Sequence, residues 1–254
     1  DRSGESWLVW LTADNGPADL ASVACDSIGS PGPFAGAWQR SEGGGGGTCK
    51  GTTWEGGHRV MGITYWPGIV APGSVLAGLA HTLDLLPTFA ALAGVDLGRY
   101  DRAYDGIDLS PALERGDTSA LADRTLFHQD GNGQLNAMRV GRHKLFWETA
   151  GSQLGCRVNA THHRWPGTAR KITHNPPLVF DLHVDPAEAI AIDPPPQSVL
   201  QRAVAAREEK QRNITQTFRS TTNYSEGGKT FWPCSNRSSV CCRLSPTPIM
   251  TPIR

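Results

Sequence analysis

The stretch that decides the interpretation of this chain is "SWLVWLTADNGP", Ser6 to Pro17, where an apolar run ends in an acid, an amide and a glycine. The run predicts a buried strand. Asp14-Asn15-Gly16 is typical of a turn, because Asp and Asn tolerate left-handed backbone angles. A metal site is the second interpretation, since ligands of α/β sheets bind beyond the carboxyl ends of strands and these oxygens suit Ca²⁺ or Mg²⁺. Taken alone, the stretch favours the plain turn.

Length and charge narrow the class of protein. The 254 residues allow one large domain, or one domain with a small appendage. The 24 acidic and 24 basic residues balance, which argues against a nucleic-acid partner. No apolar run approaches the roughly 18 residues of a membrane helix, and none resembles a signal peptide. Because the chain enters an apolar strand almost at once, we expect it to be the later part of something longer.

Cysteines and asparagines indicate the compartment. The even number of cysteines is compatible with disulfides, and they lack the C-x-x-C spacing of a zinc site. Several asparagines lie in glycosylation acceptor sequences, which together with the cysteines favour the secretory pathway. The cysteines are Cys25, Cys49, Cys156, Cys234, Cys241 and Cys242, and the acceptors are Asn159, Asn213, Asn223 and Asn236.

The first half of the chain contains two further predicted elements. Residues 18–48 are rich in Gly, Ser and Pro and predict a long mobile loop. "VMGITYWPG" predicts a strand, and "HTLDLLPTFAALAG" predicts a helix with Thr82 as N-cap and Gly94 after its end.

The second half changes character. "RTLFHQ", "NAMRVG", "HKLFWET" and "PLVFDL" predict a small antiparallel sheet, with a hairpin at "VGRH". "SVLQRAVAAREEKQRNI" predicts a helix that packs on this sheet through Val199, Leu200, Ala203, Val204 and Ala206. We therefore predict three parts, residues 1–120, 121–215 and 216–254, the last a loose cysteine-containing tail.

The segment "CKGTTWEGGHR", Cys49 to Arg59, is the most unusual in composition. Its glycines and threonines can offer N–H groups and hydroxyls to an anion, and Lys50 adds a compact positive charge, so sulfate or phosphate would suit it. The order "CKGT" does not match a P-loop. On composition alone an ordinary glycine loop remains the simpler interpretation. The scattered histidines indicate structural roles, and the chain has no G-x-S-x-G or H-E-x-x-H motif.

The order of several motifs resembles the sulfatase family, in particular the type of arylsulfatase A and galactosamine-6-sulfatase. These motifs are "TADNGP", "CKGTTWEGGHR", "WPGIVAPG", "TLDLLPTFAALAG", "DGIDLSPAL" and "VFDLHVDPAE". The resemblance covers about residues 6–210 and only the later half of such enzymes. It implies an α/β fold, in which part of a large mixed sheet flanked by helices (the alkaline-phosphatase-like sulfatase fold) precedes a small antiparallel sheet with a C-terminal helix.

The resemblance also implies roles for individual residues. Asp14 and Asn15 match the pair that completes a calcium site, with Mg²⁺ as the alternative ion, and Lys50 matches a lysine that contacts the substrate sulfate. Cys49 and Cys156 match a long-range disulfide. In "EGGHR", Glu55 and Arg59 match structural positions, while His58 stands at a variable one.

One departure from the family pattern affects activity. Sulfatases use a formylglycine made within C-x-P-x-R or S-x-P-x-R, and neither motif occurs in this sequence, which therefore contains no nucleophile. We expect formylglycine upstream of this chain and expect the chain alone to be an inactive fragment of a sulfuric ester hydrolase.

The resemblance implies a small sulfate ester, a sulfated glycan or a sulfated glycolipid as substrate. It implies the lysosome or the extracellular space as location, and it allows oligomerisation. Two alternatives stay open. They are a phosphoryl-transfer enzyme of the same superfamily and a non-catalytic, secreted sulfatase-like glycoprotein module.

Overall fold

The computed structural model describes residues 7–17, 29–100, 102–129, 133–151 and 170–217. These ranges contain strands and α-helices joined by short 3₁₀ turns. The strands are β1 (Val9–Thr12), β2 (Gly62–Tyr65), β3 (Thr125–Gln129), β4 (Leu135–Val140), β5 (His143–Thr149) and β6 (Ile172–Asp181). The helices are α1 (Ala37–Ser41), α2 (Glu55–His58), α3 (Leu85–Leu92), α4 (Ser110–Arg115) and α5 (Gln197–Thr217).

The two strands of the first half form a small sheet of their own. β1 and β2 pair antiparallel, with Val9 opposite Tyr65 and Thr12 opposite Gly62. The prediction of two strands is confirmed, but the prediction that β1 is buried is wrong. Val9 and Leu11 are exposed, because the described part of the chain places no further layer over them.

The predicted helix at residues 81–94 is present, with a different start. A 3₁₀ turn at Thr82–Asp84 leads into α3, and His81 rather than Thr82 caps it through its side chain. Asp84 is completely buried in an ion pair with Arg124. Arg124 Nη1 lies 2.5 Å from Asp84 Oδ2, and Arg124 Nη2 lies 2.5 Å from Asp84 Oδ1. Gly94 adopts a φ of 69° after the helix, as a C-terminal glycine does.

The second half contains the predicted antiparallel sheet, in the order β3-β4-β5-β6. β4 and β5 form the predicted hairpin, in which Val140 pairs with His143 around Gly141, and Gly141 has a φ of 55°. Burial along β4 follows the pleat only in part, because α5 covers one face and an aromatic cluster covers the other.

Helix α5 packs on this sheet as predicted. Ala203 is buried against Met138, Leu145 and Val179, and Val199, Leu200 and Ala206 flank it. Val204 was expected on the same stripe but is exposed, since it follows Ala203 by one residue and so turns about 100° away from the sheet.

The aromatic cluster joins the glycine-rich segment to the sheet. Trp38 on α1 stacks on Trp54, and Trp54 lies 4.3 Å from Phe146 of β5 between ring centroids. The predicted loop therefore contains a short helix, α1, which the sequence did not indicate. There α1 buries an aromatic side chain, and the buried Gln39 amide donates hydrogen bonds to the carbonyls of Gly43 and Gly45.

By its internal contacts the chain divides into Asp1–Asn213 and Ile214–Arg254, and the fold described above, apart from the end of α5, belongs to the first unit. The predicted tail beyond residue 217 lies outside the described residues. Among the described helices, none combines the length and the apolar character needed to cross a lipid bilayer.

Candidate functional site

The Asp14-Asn15-Gly16 corner lies directly beside the segment that carries Lys50. The Gly16 N–H donates to the Gly57 carbonyl over 2.9 Å, and the Lys50 N–H donates to the Pro17 carbonyl over 2.8 Å. Three residue steps place the Cα of Asp14 at most about 11 Å from that of Pro17. The structure thus brings together the two segments that the sequence singled out, and the side chains of Asp14 and Lys50 are both exposed.

Close backbone packing explains the glycines at this junction. A Cβ on Gly16 would lie 2.0 Å from the Gly56 carbonyl oxygen, and a Cβ on Gly56 would lie 2.5 Å from the Phe34 carbonyl oxygen. No side chain fits at such distances. Gly16 therefore does more than permit a turn, because it lets the end of β1 dock against α2.

The polar atoms of the corner leave two oxygens that can be offered to a cation. Asp14 Oδ1 accepts the Asn15 N–H over 3.0 Å, and Asn15 Nδ2 donates to the Gly16 carbonyl over 2.8 Å. Among the described residues no hydrogen bond engages Asp14 Oδ2 or Asn15 Oδ1, a carboxylate and an amide oxygen of the kind that calcium takes. They fit part of a calcium site, whose full set is six to eight oxygens. Within the described residues, no group of three or more His, Cys, Asp or Glu could hold a metal.

The segment around Lys50 is anchored on both sides. The Thr48 hydroxyl donates to the Ala35 carbonyl over 2.6 Å, and the Thr52 hydroxyl donates to the Cys49 carbonyl over 2.8 Å. Thr48 and Cys49 are buried, whereas the Lys50 side chain is exposed. A fixed backbone thus presents the Lys50 side chain at the surface.

The remaining predicted sites are only partly described. Cys156 lies outside the described residues, so its disulfide with the buried Cys49 stays a prediction. The other cysteines (Cys25, Cys234, Cys241, Cys242) and three glycosylation acceptors (Asn159, Asn223, Asn236) lie outside them too. Asn213 is exposed near the end of α5.

A buried charge cluster around Glu55 was not predicted from the sequence. Glu55 opens α2, and its Oε1 lies 2.9 Å from Nζ of Lys144, which is completely buried on β5. The same Nζ lies 2.9 Å from Oε1 of the buried Glu188. Glu188 Oε2 also accepts the backbone N–H of Glu55 over 2.8 Å. Two carboxylates and one ammonium thus tie α2 to the sheet of the second half.

The two acids of this cluster differ in their proton affinity. Burial acts to raise the pKa of Glu55, but the charge of Lys144 and the hydrogen bond from His58 hold that pKa well below its ordinary value. Burial raises the pKa of Glu188 to about 7; Lys144 offsets this in part, and the negative charge of Glu55 adds to it. Glu55 is therefore the permanent anion of the cluster and Glu188 the group that titrates.

Two histidines, His58 and the buried His128, extend the cluster. The rings of His58 and His128 lie 4.0 Å apart between centroids, and His58 Nε2 is 3.3 Å from Glu55 Oε1. Burial lowers the pKa of both imidazoles, and the positive charge of Lys144 lowers it further. Both are predominantly neutral at pH 7. Arg59 Nη1 lies 3.4 Å from Glu55 Oε2, next to the same cluster.

The described fold places a four-stranded antiparallel sheet under a long helix and joins it through α2 to the Asp14-Asn15-Gly16 corner and the Lys50 segment. Residues 121–244 match the family model for the C-terminal region of aryl-sulfatase.

Named relatives agree with this assignment. The chain is 35% identical to Arylsulfatase G of Canis lupus familiaris over 97% of its own length and 44% of that protein. It is 40% identical to Arylsulfatase A of Bos taurus over 71% of its own length and 32% of that protein. The crystal structure of the PsFucS1 sulfatase from Pseudoalteromonas sp. superposes with a TM-score of 0.65 at 25% identity, over 85% of this chain and 39% of that one.

Residues 121–244 thus correspond to the C-terminal region of aryl-sulfatases, the chain is similar to arylsulfatases over nearly all of its length, and the expected fold class is confirmed. It spans less than half the length of each of these relatives.

Proposed function

We propose that this chain supplies part of the calcium and sulfate site of an arylsulfatase-type sulfuric ester hydrolase. In this proposal Asp14 and Asn15 hold the calcium ion and Lys50 contacts the sulfate group. The observation that carries the proposal is the pair of backbone hydrogen bonds that fix the Asp14-Asn15 corner against the Lys50 segment. A cation and a lysine can act on one sulfate only if they face the same small volume.

The residues of this chain would bind and orient the substrate. Lys50 is a compact point charge on a flexible stem, suited to one oxygen of a tetrahedral anion. Asp14 and Asn15 hold their oxygens on a corner that cannot move away from α2 without breaking the Gly16–Gly57 hydrogen bond. A bound calcium ion supplies positive charge to the group being transferred, which is the preorganised electrostatic stabilisation common to such reactions.

The chain alone should be inactive. Its sequence contains no formylglycine motif, so the nucleophile must come from outside these residues. We extend the proposal to a sulfated glycan, a sulfated glycolipid or a small sulfate ester as substrate, and to the lysosome or the extracellular space as location. The glycosylation acceptors and the cysteines support that location.

Two measurements on the purified chain test the proposal. A chromogenic aryl sulfate with calcium should show no turnover. Calorimetric titration should show calcium binding at a Kd of about 1 mM or weaker, because two side-chain oxygens fall far short of a full set. Asp14→Ala should abolish this binding, and Asp96→Ala, which removes another exposed carboxylate, should not.

Two results would contradict the proposal. One is turnover that survives purification and disappears in Asp14→Ala, because the chain would then carry a complete site. The other is calcium binding that is unchanged in Asp14→Ala, because the corner would then be a plain turn.

A further inference from the structure

Two histidines join α2 to the four-stranded sheet. His58 is the last residue of α2, and His128 lies on β3 and is only 9% exposed. Their rings lie 4.0 Å apart between centroids, at an interplanar angle of 38°. Gly57, the residue before His58, accepts the N–H of Gly16. The contact between the two rings therefore holds the end of α2 to which the Asp14-Asn15-Gly16 corner is bonded.

Each ring has a buried nitrogen without a hydrogen bond. In the part of the chain that the structure describes, neither His58 Nδ1 nor His128 Nε2 has a partner. His58 Nε2 lies 3.3 Å from Glu55 Oε1, so a neutral His58 carries its proton on Nε2 and leaves Nδ1 as an acceptor. An imidazolium carries N–H groups on both nitrogens. Protonation of His58 would therefore bury a donor that nothing accepts, together with a charge.

The carboxylate that faces both rings is already shared. Glu55 lies within 4 Å of three other cationic groups, which are Lys144, Arg59 and Arg139. The second acid of the cluster, Glu188, pairs with the same Lys144 ammonium. His81 is a further ring whose positive charge would act against a charge on His58 or His128. A proton on either histidine would thus add positive charge to a cluster that is already rich in cations.

We propose that His58 and His128 form an acid-sensitive latch, which holds α2 and the Asp14-Asn15-Gly16 corner closed while both rings are neutral and releases them when a ring is protonated. The proton comes from solvent as α2 lifts from the sheet. The inference rests on the proposed function, because it names a regulation of the calcium corner.

The direction of the pH effect follows from the two states of the rings. In the closed state, burial and the charge of Lys144 lower the pKa of both imidazoles below the ordinary 6.5. In the open state the rings reach water and regain that ordinary pKa. The open state therefore binds protons more tightly, and the closed state loses stability as the pH falls below 6.5.

The size of the effect follows from a single proton. A ring that binds its proton only in the open state raises the opening equilibrium about 30-fold between pH 7.5 and pH 5.0. Glu188 acts in the opposite direction, because burial raises its pKa to about 7 in the closed state. The latch is therefore measured as a difference between two chains that both contain Glu188.

Hydrogen exchange of the full chain at pH 7.5 and pH 5.0 tests the latch. The variant combines His58→Gln with His128→Phe, so that neither position titrates. The quantity compared is the protection of a peptide containing Gly16, corrected for the intrinsic exchange rate. We expect the ratio of parent to variant protection to fall at least tenfold from pH 7.5 to pH 5.0. His183→Gln, which removes an exposed histidine, should behave as the parent does.

A second measurement needs no substitution. In the parent chain, the NMR signals of the His58 and His128 rings should titrate over the same pH range in which the Gly16 peptide loses protection. This result would link protonation of the rings to release of the corner.

Three results would overturn the proposal. They are a ratio that is the same at both pH values, an equal fall of the ratio in a peptide spanning Gly141, which would indicate global acid unfolding, and titration of both rings while the Gly16 peptide keeps its protection. Calcium binding that is unchanged in Asp14→Ala would instead contradict the proposed function and leave the latch standing.

Discussion

Substitution of Glu188 by Gln should change how the stability of this protein depends on pH. Glu188 lies in the buried cluster with Lys144 and Glu55, and burial raises its pKa from an ordinary 4.5 to about 7. Between these two values the folded chain holds a proton on Glu188 that the unfolded chain has released. The free energy of unfolding therefore falls as the pH rises through this window.

The size of the effect follows from the two pKa values. A difference of about 2.5 between folded and unfolded states corresponds to about 3 kcal/mol. Gln has the shape of the protonated acid and does not titrate. The stability of Glu188→Gln relative to the parent chain should therefore increase by about 3 kcal/mol between pH 4.5 and pH 7.5, with most of the change complete at pH 7.

Urea unfolding followed by tryptophan fluorescence, at half-unit steps across this range, measures the difference directly. Glu209→Gln, an exposed acid on α5, is the matched control and should track the parent chain. A stability difference between Glu188→Gln and parent that stays flat, or that shrinks as pH rises, would refute the reasoning. It would mean that Lys144 holds Glu188 ionised throughout.

Two further predictions concern the backbone junction and the cysteines. Gly16→Ala should destabilise the chain by about 1–3 kcal/mol through overpacking against α2, whereas Gly62→Ala, which meets nothing within 4 Å, should have little effect; urea unfolding distinguishes them. Cys49 and Cys156 should form a disulfide that closes a loop of about 100 residues and contributes roughly 4–5 kcal/mol in the chain-entropy model. Peptide mapping without reduction should recover the linked pair, and recovery of two unlinked peptides would disprove it.

The second half of the fold could be predicted from sequence because its signals are local. The strand runs are short, turn residues separate them, and Gly141 marks the hairpin within four residues. The helix α5 shows its packing stripe for the same reason, and the misplaced Val204 differs from its neighbour by one position only.

The charge cluster could not be predicted, because its members are far apart in sequence. Glu55 bonds to residues 89 and 133 positions away. A lysine in "HKLFWET" is expected on the solvated side of a strand, yet Lys144 is completely buried. Asp84 lies within the segment predicted as a helix, and only tertiary contact reveals its partner Arg124.

The burial of β1 was predicted wrongly for a different reason. An apolar run indicates that a strand is buried in the complete fold, but it does not indicate which residues cover the strand. Val9 and Leu11 are apolar and exposed in this chain. For the candidate site, the resemblance to sulfatases suggested Asp14 and Lys50, while the structure supplied the hydrogen bonds that place their segments side by side.

The buried cluster should control the candidate site through α2. Glu55 begins this helix, and Gly57, two residues later, accepts the N–H of Gly16 beside Asp14 and Asn15. Glu55→Gln keeps the shape of the side chain but removes the anion that holds Lys144. The substitution should lower the free energy of unfolding by about 3 kcal/mol. This is the low end for a broken buried ion pair, because Glu188 can still ionise and pair with Lys144.

When α2 is held less firmly, the Asp14-Asn15-Gly16 corner that is hydrogen-bonded to it should also open more often. Hydrogen exchange of a peptide containing Gly16 should accelerate in Glu55→Gln under conditions where the variant remains folded, while a peptide spanning the β4-β5 hairpin at Gly141 keeps its protection. Equal acceleration in both peptides would indicate global destabilisation only. Unchanged exchange at Gly16 would show that the corner is held independently of the charges, because the Gly16–Gly57 hydrogen bond would then survive without the anion that anchors α2.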